Sequence, residues 1–369
     1  METSAGPGRI PGLDLMKVLG LYLVVLYHLT FRHAQDVLGG GLLSAAVYLP
    51  STFVSICVPL FFTASGALSL TRPLDLKKNT LRCLHLAVLL LFWTGASLLI
   101  VLALRHQWPG FRELVTMATE LRVGYIQHLW YLPTFLFLTL LLPVLHGLKN
   151  SSRRIWRYGV LLLGIFTFGN QLLNDLEYLL RWLLGLGGHA GTRYFFWYVD
   201  YFAYHYWYSP IYLALGAFLL ENRHSLARRK KLAAGAIPLC LVILTLFGVA
   251  RTAVRGMAYD PAFNNYGDPF TLLLTAAVAV LLLDLQPRGL VRRAAESMSR
   301  CSLGIYLIHW LLIEVLLDYF PAVPEAVVWA PLTAIPVLGL SWALTALLLR
   351  VPVVKNLFTA TPDWLRSAA

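Results

Sequence analysis

Residues 9–29 read RIPGLDLMKVLGLYLVVLYHL. A helix needs about 20 mostly apolar residues to cross the hydrocarbon of a bilayer, and this run has that length and character. It also carries Asp14, Lys17 and His28. Lipid penalises ionisable groups, so those inside a span mark paired or functional positions. His28 lies eleven positions after Lys17. In a helix that is about three turns plus about 20°, so the two side chains share a face and lie about 16 Å apart along the axis. Asp14, three residues before Lys17, falls on the same face. One stripe therefore begins with a carboxylate and a cation and ends with an imidazole. Two readings remain. Lys17 snorkels to the interface and pairs with Asp14 while His28 sits at the opposite interface, or the stripe is chemical machinery.

The rest of the chain repeats the apolar pattern. It has 369 residues, of which 58% are hydrophobic and 13% charged, against about 25% charged in soluble domains. Ten apolar runs fall near 12–31, 48–70, 84–104, 128–148, 158–173, 206–220, 232–250, 269–286, 301–320 and 327–349. They predict an all-α polytopic membrane protein of about ten transmembrane helices, with residues 1–369 forming one transmembrane domain. With the N-terminus inside, 21 of the 30 Lys and Arg fall in inside segments and 8 in outside segments, with Lys17 inside the first span. That bias predicts both termini in the cytoplasm.

The net charge of +12 comes from these clusters between spans. They are an orientation signal, which argues against nucleic acid as a partner and names membrane lipid instead. Cys57, Cys83, Cys240 and Cys301 lie in or beside apolar runs with no metal-type spacing, so neither a disulfide framework nor a metal site is expected. Asp14 and Lys17 within the first run argue against a cleavable signal peptide. An outside segment near 174–205 is rich in aromatics, among them Tyr194, Phe195, Phe196 and Trp197. It reads as an interfacial belt or as a platform for a sugar ring.

Four stretches resemble one known family in order. RIPGLDLMKVLGLYLVVLYHL carries a cation, ten residues and a histidine, here Lys17 and His28. VPLFFTASGAL ends in a Ser-Gly block at Ser65 and Gly66, HLWYLPTFL holds His128 and Trp130, and SRCSLGIYLIH holds Ser302, Gly304, Tyr306 and His309. Together they resemble the acyltransferase-3 membrane family, which includes O-antigen acetylases and related surface-polysaccharide O-acyltransferases. The Arg-x-x-Arg block common after the second helix of that family reads Asn79-Thr-Leu-Arg82 here, with Lys78 beside its first position.

The resemblance implies transfer of an acyl group, acetyl by expectation, from cytoplasmic acyl-coenzyme A to a hydroxyl of a surface glycan or lipid-linked sugar. It places the chain in the plasma (inner) membrane. An alcohol needs a base near neutral pH, and an imidazole suits that task, so His28 is the expected general base. Lys17, Lys78 and Arg82, with Asp14 beside them, are the expected donor-side residues, because cations hold phosphates. Ser65 is the candidate nucleophile for an acyl-enzyme, or half of a small-residue packing pair. His309 lines the same cavity or bonds between helices. His128 and Trp130 are candidate acceptor-site residues or interfacial anchors. The rival class is a transporter or flippase of a lipid-linked sugar or polysaccharide, but no matched pair of broken helices marks two repeated halves. The sequence carries no signature of an oligomeric state.

Overall fold

The computed structural model describes residues 9–37, 51–187, 206–256, 259–260, 262–319 and 329–362. The aromatic segment at 194–204 lies outside them. Among the described residues the α-helices of nine residues or more are α1 (Pro11–Val37), α2 (Cys57–Ser69), α3 (Leu76–Leu104), α4 (Phe111–Thr119), α5 (Tyr131–Ser151), α6 (Arg153–Gly164), α7 (Asn170–Leu183), α8 (Ser209–Glu221), α9 (Lys230–Arg255), α10 (Pro269–Leu283), α11 (Gly289–Arg300), α12 (Ser302–Tyr319) and α13 (Ala330–Leu348). A single π-helical turn, Ile165–Gly169, joins α6 to α7. No strand occurs among the described residues. Lipid offers no partners to backbone N–H and C=O groups, so a chain this apolar satisfies them within helices.

Local chemistry sets the ends. Asp75 caps α3 by accepting from the Lys78 backbone N–H at 3.0 Å, and Asp268 caps α10 through Phe270 at 2.6 Å. Each satisfies a donor that the first turn leaves open. Gly256 ends α9 at φ 67°, the left-handed conformation that favours glycine.

Each of the ten apolar runs coincides with helix, but not all meet the demands of a span. Among the described residues, six helices are long and apolar enough to cross a membrane, or seven if α11 and α12 make one broken span. α8 and α10, with 13 and 15 residues, are too short by that measure. The α6–α7 stretch has the length, but Gln171, Asn174 and Asp175 make it polar.

The chain divides into two compact units. The first holds Met1–Arg72 and Lys149–Ser299. There α2 packs along α8, and α1 packs on α2 and α10. Glycines set these approaches. A Cβ on Gly66 would collide with the Leu213 backbone, and one on Gly216 with the Thr63 carbonyl oxygen. Small residues of this kind let membrane helices close onto each other's backbones. The second unit holds Pro73–Leu148 and Arg300–Ala369. Its core gathers Leu89, Trp93, Leu129, Leu307 and Phe358. The Trp93 indole donates to the Leu357 carbonyl at 2.7 Å, tying the C-terminal 3-10 turn to α3. Leu84, Val88, Leu91 and Leu99 on α3 are 51–75% exposed and form a stripe suited to lipid.

Candidate active site

The residues singled out in the sequence divide between the two units. Asp14, Lys17, His28 and Ser65 belong to the first, and Lys78, Arg82, His128, Trp130 and His309 to the second.

In the first unit α1 runs unbroken through Lys17 and His28, so the spacing read from the sequence holds in the helix. His28 is buried and Lys17 half-buried. Asp14 is engaged by Arg9, whose guanidinium donates to both carboxylate oxygens at 2.8 and 3.0 Å. The same Arg9 donates to the Glu296 carbonyl at 3.0 Å, fastening the start of α1 to α11. Its hydrogen bonds to Asp14 raise the Arg9 pKa further above its ordinary value. Asp14 thus stands in a paired carboxylate–guanidinium contact outside the sequence expectation.

At the far end of α1, Tyr27 donates to Asp260 at 2.6 Å, and its ring meets the His28 ring at 5.0 Å between centroids. The other Asp260 oxygen accepts from the Ala262 N–H at 2.9 Å. Asp260 therefore pins the turn that carries His28 to the segment between α9 and α10. Cys57 and Tyr266 approach at 3.3 Å in the same unit. Ser65 is half-buried on α2, directly before the glycine that sets the α2–α8 contact. That geometry gives the Ser-Gly block a packing role whatever else Ser65 does.

A second polar group in the first unit had no counterpart in the sequence reading. Arg251 donates to Asp175 at 2.5 Å, and burial together with the nearby Asp175 charge pushes the Asp268 carboxyl well above the usual carboxylate range. All three are buried. The Arg251 guanidinium lies over the rings of Tyr178 and Tyr259, at 4.9 and 4.7 Å. Asp175 falls where the fifth apolar run fades, and Arg251 at the end of the seventh.

In the second unit, His128 and His309 come together. Both are buried, His309 completely. Their rings meet edge-on at 5.8 Å, and His128 stacks on Trp310 at 5.4 Å. Tyr306 donates to the His128 carbonyl at 2.5 Å. His309 Nδ1 contacts the Tyr306 carbonyl at 2.5 Å. A carbonyl only accepts, so Nδ1 is the donor in this contact. One turn further on, buried Glu314 binds Arg105 at 2.6 Å. Arg105 also donates to the Gly124 carbonyl and lies 4.6 Å from the Tyr125 ring centroid. Trp130 is half-buried and meets Tyr131 edge-on at 6.4 Å.

On α3, Lys78 lies 3.9 Å from Asp75. Arg82 is placed differently. Its guanidinium lies 5.2 Å from the Phe135 ring centroid, and its buried Nε has no hydrogen-bond partner among the described residues. An unsatisfied charged donor of this kind fits an incoming phosphate oxygen. No group of His, Cys, Asp and Glu that could hold a metal occurs among the described residues.

The acyltransferase-3 model, described as an acyltransferase domain, matches residues 10–346, nearly the whole chain. The chain belongs to the acyltransferase-3 family. That membership makes it an acyltransferase by family and, with its apolar helices, a multi-pass membrane protein. No curated protein and no solved structure matches this acyltransferase. The family match extends from α1 into α13 and takes in residues of both units.

Proposed function

We propose that this acyltransferase moves an acetyl group from cytoplasmic acetyl-coenzyme A to a hydroxyl of a surface glycan or lipid-linked sugar. The observation that carries the reading is α1. One unbroken helix holds a half-buried cation and, about 16 Å further along its axis, a buried imidazole. The ten-span arrangement with cytoplasmic termini in the plasma membrane is part of the proposal and rests on the Lys and Arg bias. In that topology Lys17, Lys78 and Arg82 lie at the donor side and His28 at the acceptor side. The orphaned Arg82 Nε supports the phosphate-holding role.

The chemistry follows from the residue types. His28 takes the proton of the acceptor hydroxyl as its oxygen bonds to the thioester carbonyl carbon. The carbon–sulfur bond then breaks, and the imidazolium returns the proton to the leaving thiolate. Atoms and charge balance without a metal or an oxidant. A base held in place is worth about 10²- to 10⁴-fold in rate. His309, with His128 edge-on beside it, supports a second role in receiving the acceptor. The transporter reading is not favoured, because the matched family is one of acyltransferases.

The test is mass spectrometry of surface glycans from cells with and without the protein, joined to transfer of labelled acetyl from acetyl-coenzyme A by the purified protein. An acetyl-ester mass increment that depends on the protein, together with labelled product in vitro, is the expected result. Identical glycan masses in both cell lines and no transfer in vitro would refute it.

A further inference from the structure

The end of the first unit formed by the start of α9, the end of α10 and the start of α11 carries an unusual surface. Arg228, Arg229, Lys231, Arg288 and Arg293 are all exposed there. None has an acidic partner among the described residues, whereas neighbouring Lys230 and Arg292 pair with Asp284 and Glu296. The Lys230–Asp284 ion pair holds the two segments side by side. The local acids are thus consumed within the protein, and five cations are left over.

Apolar side chains are interleaved with these cations. Leu232 is 70% exposed, Leu290 81% and Val291 62%. In water such residues would face a polar solvent on every side, next to charges that attract more of it. A collar of leucine and valine among arginines instead matches the boundary where headgroup phosphates meet acyl chains. The position agrees, since α9 is itself a candidate span and begins at Lys230.

We propose that this collar binds the phosphates of anionic phospholipids, with Leu232, Leu290 and Val291 seated at the top of the acyl region. The shared chemistry is phosphate recognition by arginine, which presents a planar fork of donors. The apolar residues decide for a lipid over a soluble phosphate, because coenzyme A or inorganic phosphate gives them nothing to bury against. The net positive excess decides for anionic over zwitterionic headgroups. The inference stands whether or not the reaction proposed above is correct.

The test uses the full chain in nanodiscs of mixed phosphatidylglycerol and phosphatidylcholine, with the lipids retained on the protein counted by native mass spectrometry. Wild-type protein is expected to retain phosphatidylglycerol about tenfold over phosphatidylcholine, an enrichment that high salt weakens. Replacing all five cations with glutamine (R228Q, R229Q, K231Q, R288Q, R293Q) is expected to remove the enrichment. The variant R228K, R229K, R288K, R293K keeps the charge and is expected to keep most of it. Millimolar coenzyme A or inorganic phosphate should leave the bound lipid in place. Equal retention of the two lipids by wild-type protein, an unchanged preference in the glutamine variant, or displacement of lipid by coenzyme A would each overturn the proposal. Should the glutamine variant fail to fold, the wild-type comparison of the two lipids decides alone.

Discussion

At the scale of single residues, the buried trio Asp175, Arg251 and Asp268 gives the sharpest contrast. Burial and the neighbouring Asp175 charge push the Asp268 carboxyl well above the usual carboxylate range, so Asp268 is the acid that keeps its proton. Arg251 bonds Asp175 directly, which puts the negative charge on Asp175 and the proton on Asp268. Asp268→Asn, which mimics the protonated acid, should therefore shift the unfolding midpoint by little. Asp175→Asn strands the Arg251 charge and should cost about 3 kcal/mol or more. Thermal unfolding of the two variants in detergent checks this, and equal losses would contradict a protonated Asp268 beside a charged Asp175. None of this trio was legible in the sequence. The Lys17–His28 stripe was, because helical periodicity relates positions on one helix. The Tyr27–Asp260 bond joins residues 233 positions apart through an aperiodic segment, and no local pattern encodes such a meeting. Arg9 escaped for a related reason, since it sits just ahead of the helix whose periodicity exposed Asp14.

At the scale of elements, glycines separate close-packed helices from lipid-facing ones. Gly216 faces the Thr63 carbonyl with no room for a methyl group, while Gly95 on α3 has open space beside it. Gly216→Ala is expected to destabilise by about 1–3 kcal/mol through overpacking. Gly95→Ala should stay within about 1 kcal/mol of the parent, because alanine is the better helix former. Fluorescence-detected gel filtration after heating ranks the two, and a Gly95 variant less stable than the Gly216 variant would contradict the α2–α8 geometry. The sequence places helix on every apolar run, and length and apolarity single out six of these helices, or seven with α11 and α12 joined, among the described residues. Hydropathy finds apolar character and not length. α8 and α10 end early at polar residues, and α6–α7 gains its length from a polar stretch.

At the scale of the whole molecule, the proposed topology makes opposite demands on two exposed valines. Val123 and Val353 are 80% and 87% exposed, and the native cysteines are buried, which keeps labelling background low. Val123→Cys should react with an impermeant maleimide in intact cells, and Val353→Cys only after permeabilisation. The reverse pattern would contradict cytoplasmic termini. In the proposed reaction α1 joins a donor side to an acceptor side through two separate side chains. Steady-state kinetics of Lys17→Ala and His28→Ala with labelled acetyl-coenzyme A tests it most directly. Lys17→Ala should raise KM for acetyl-coenzyme A while leaving most of kcat. His28→Ala should lower kcat by about 10²- to 10⁴-fold while coenzyme A binds as before. Wild-type turnover by the His28 variant, or the same defect in both variants, would contradict the claim.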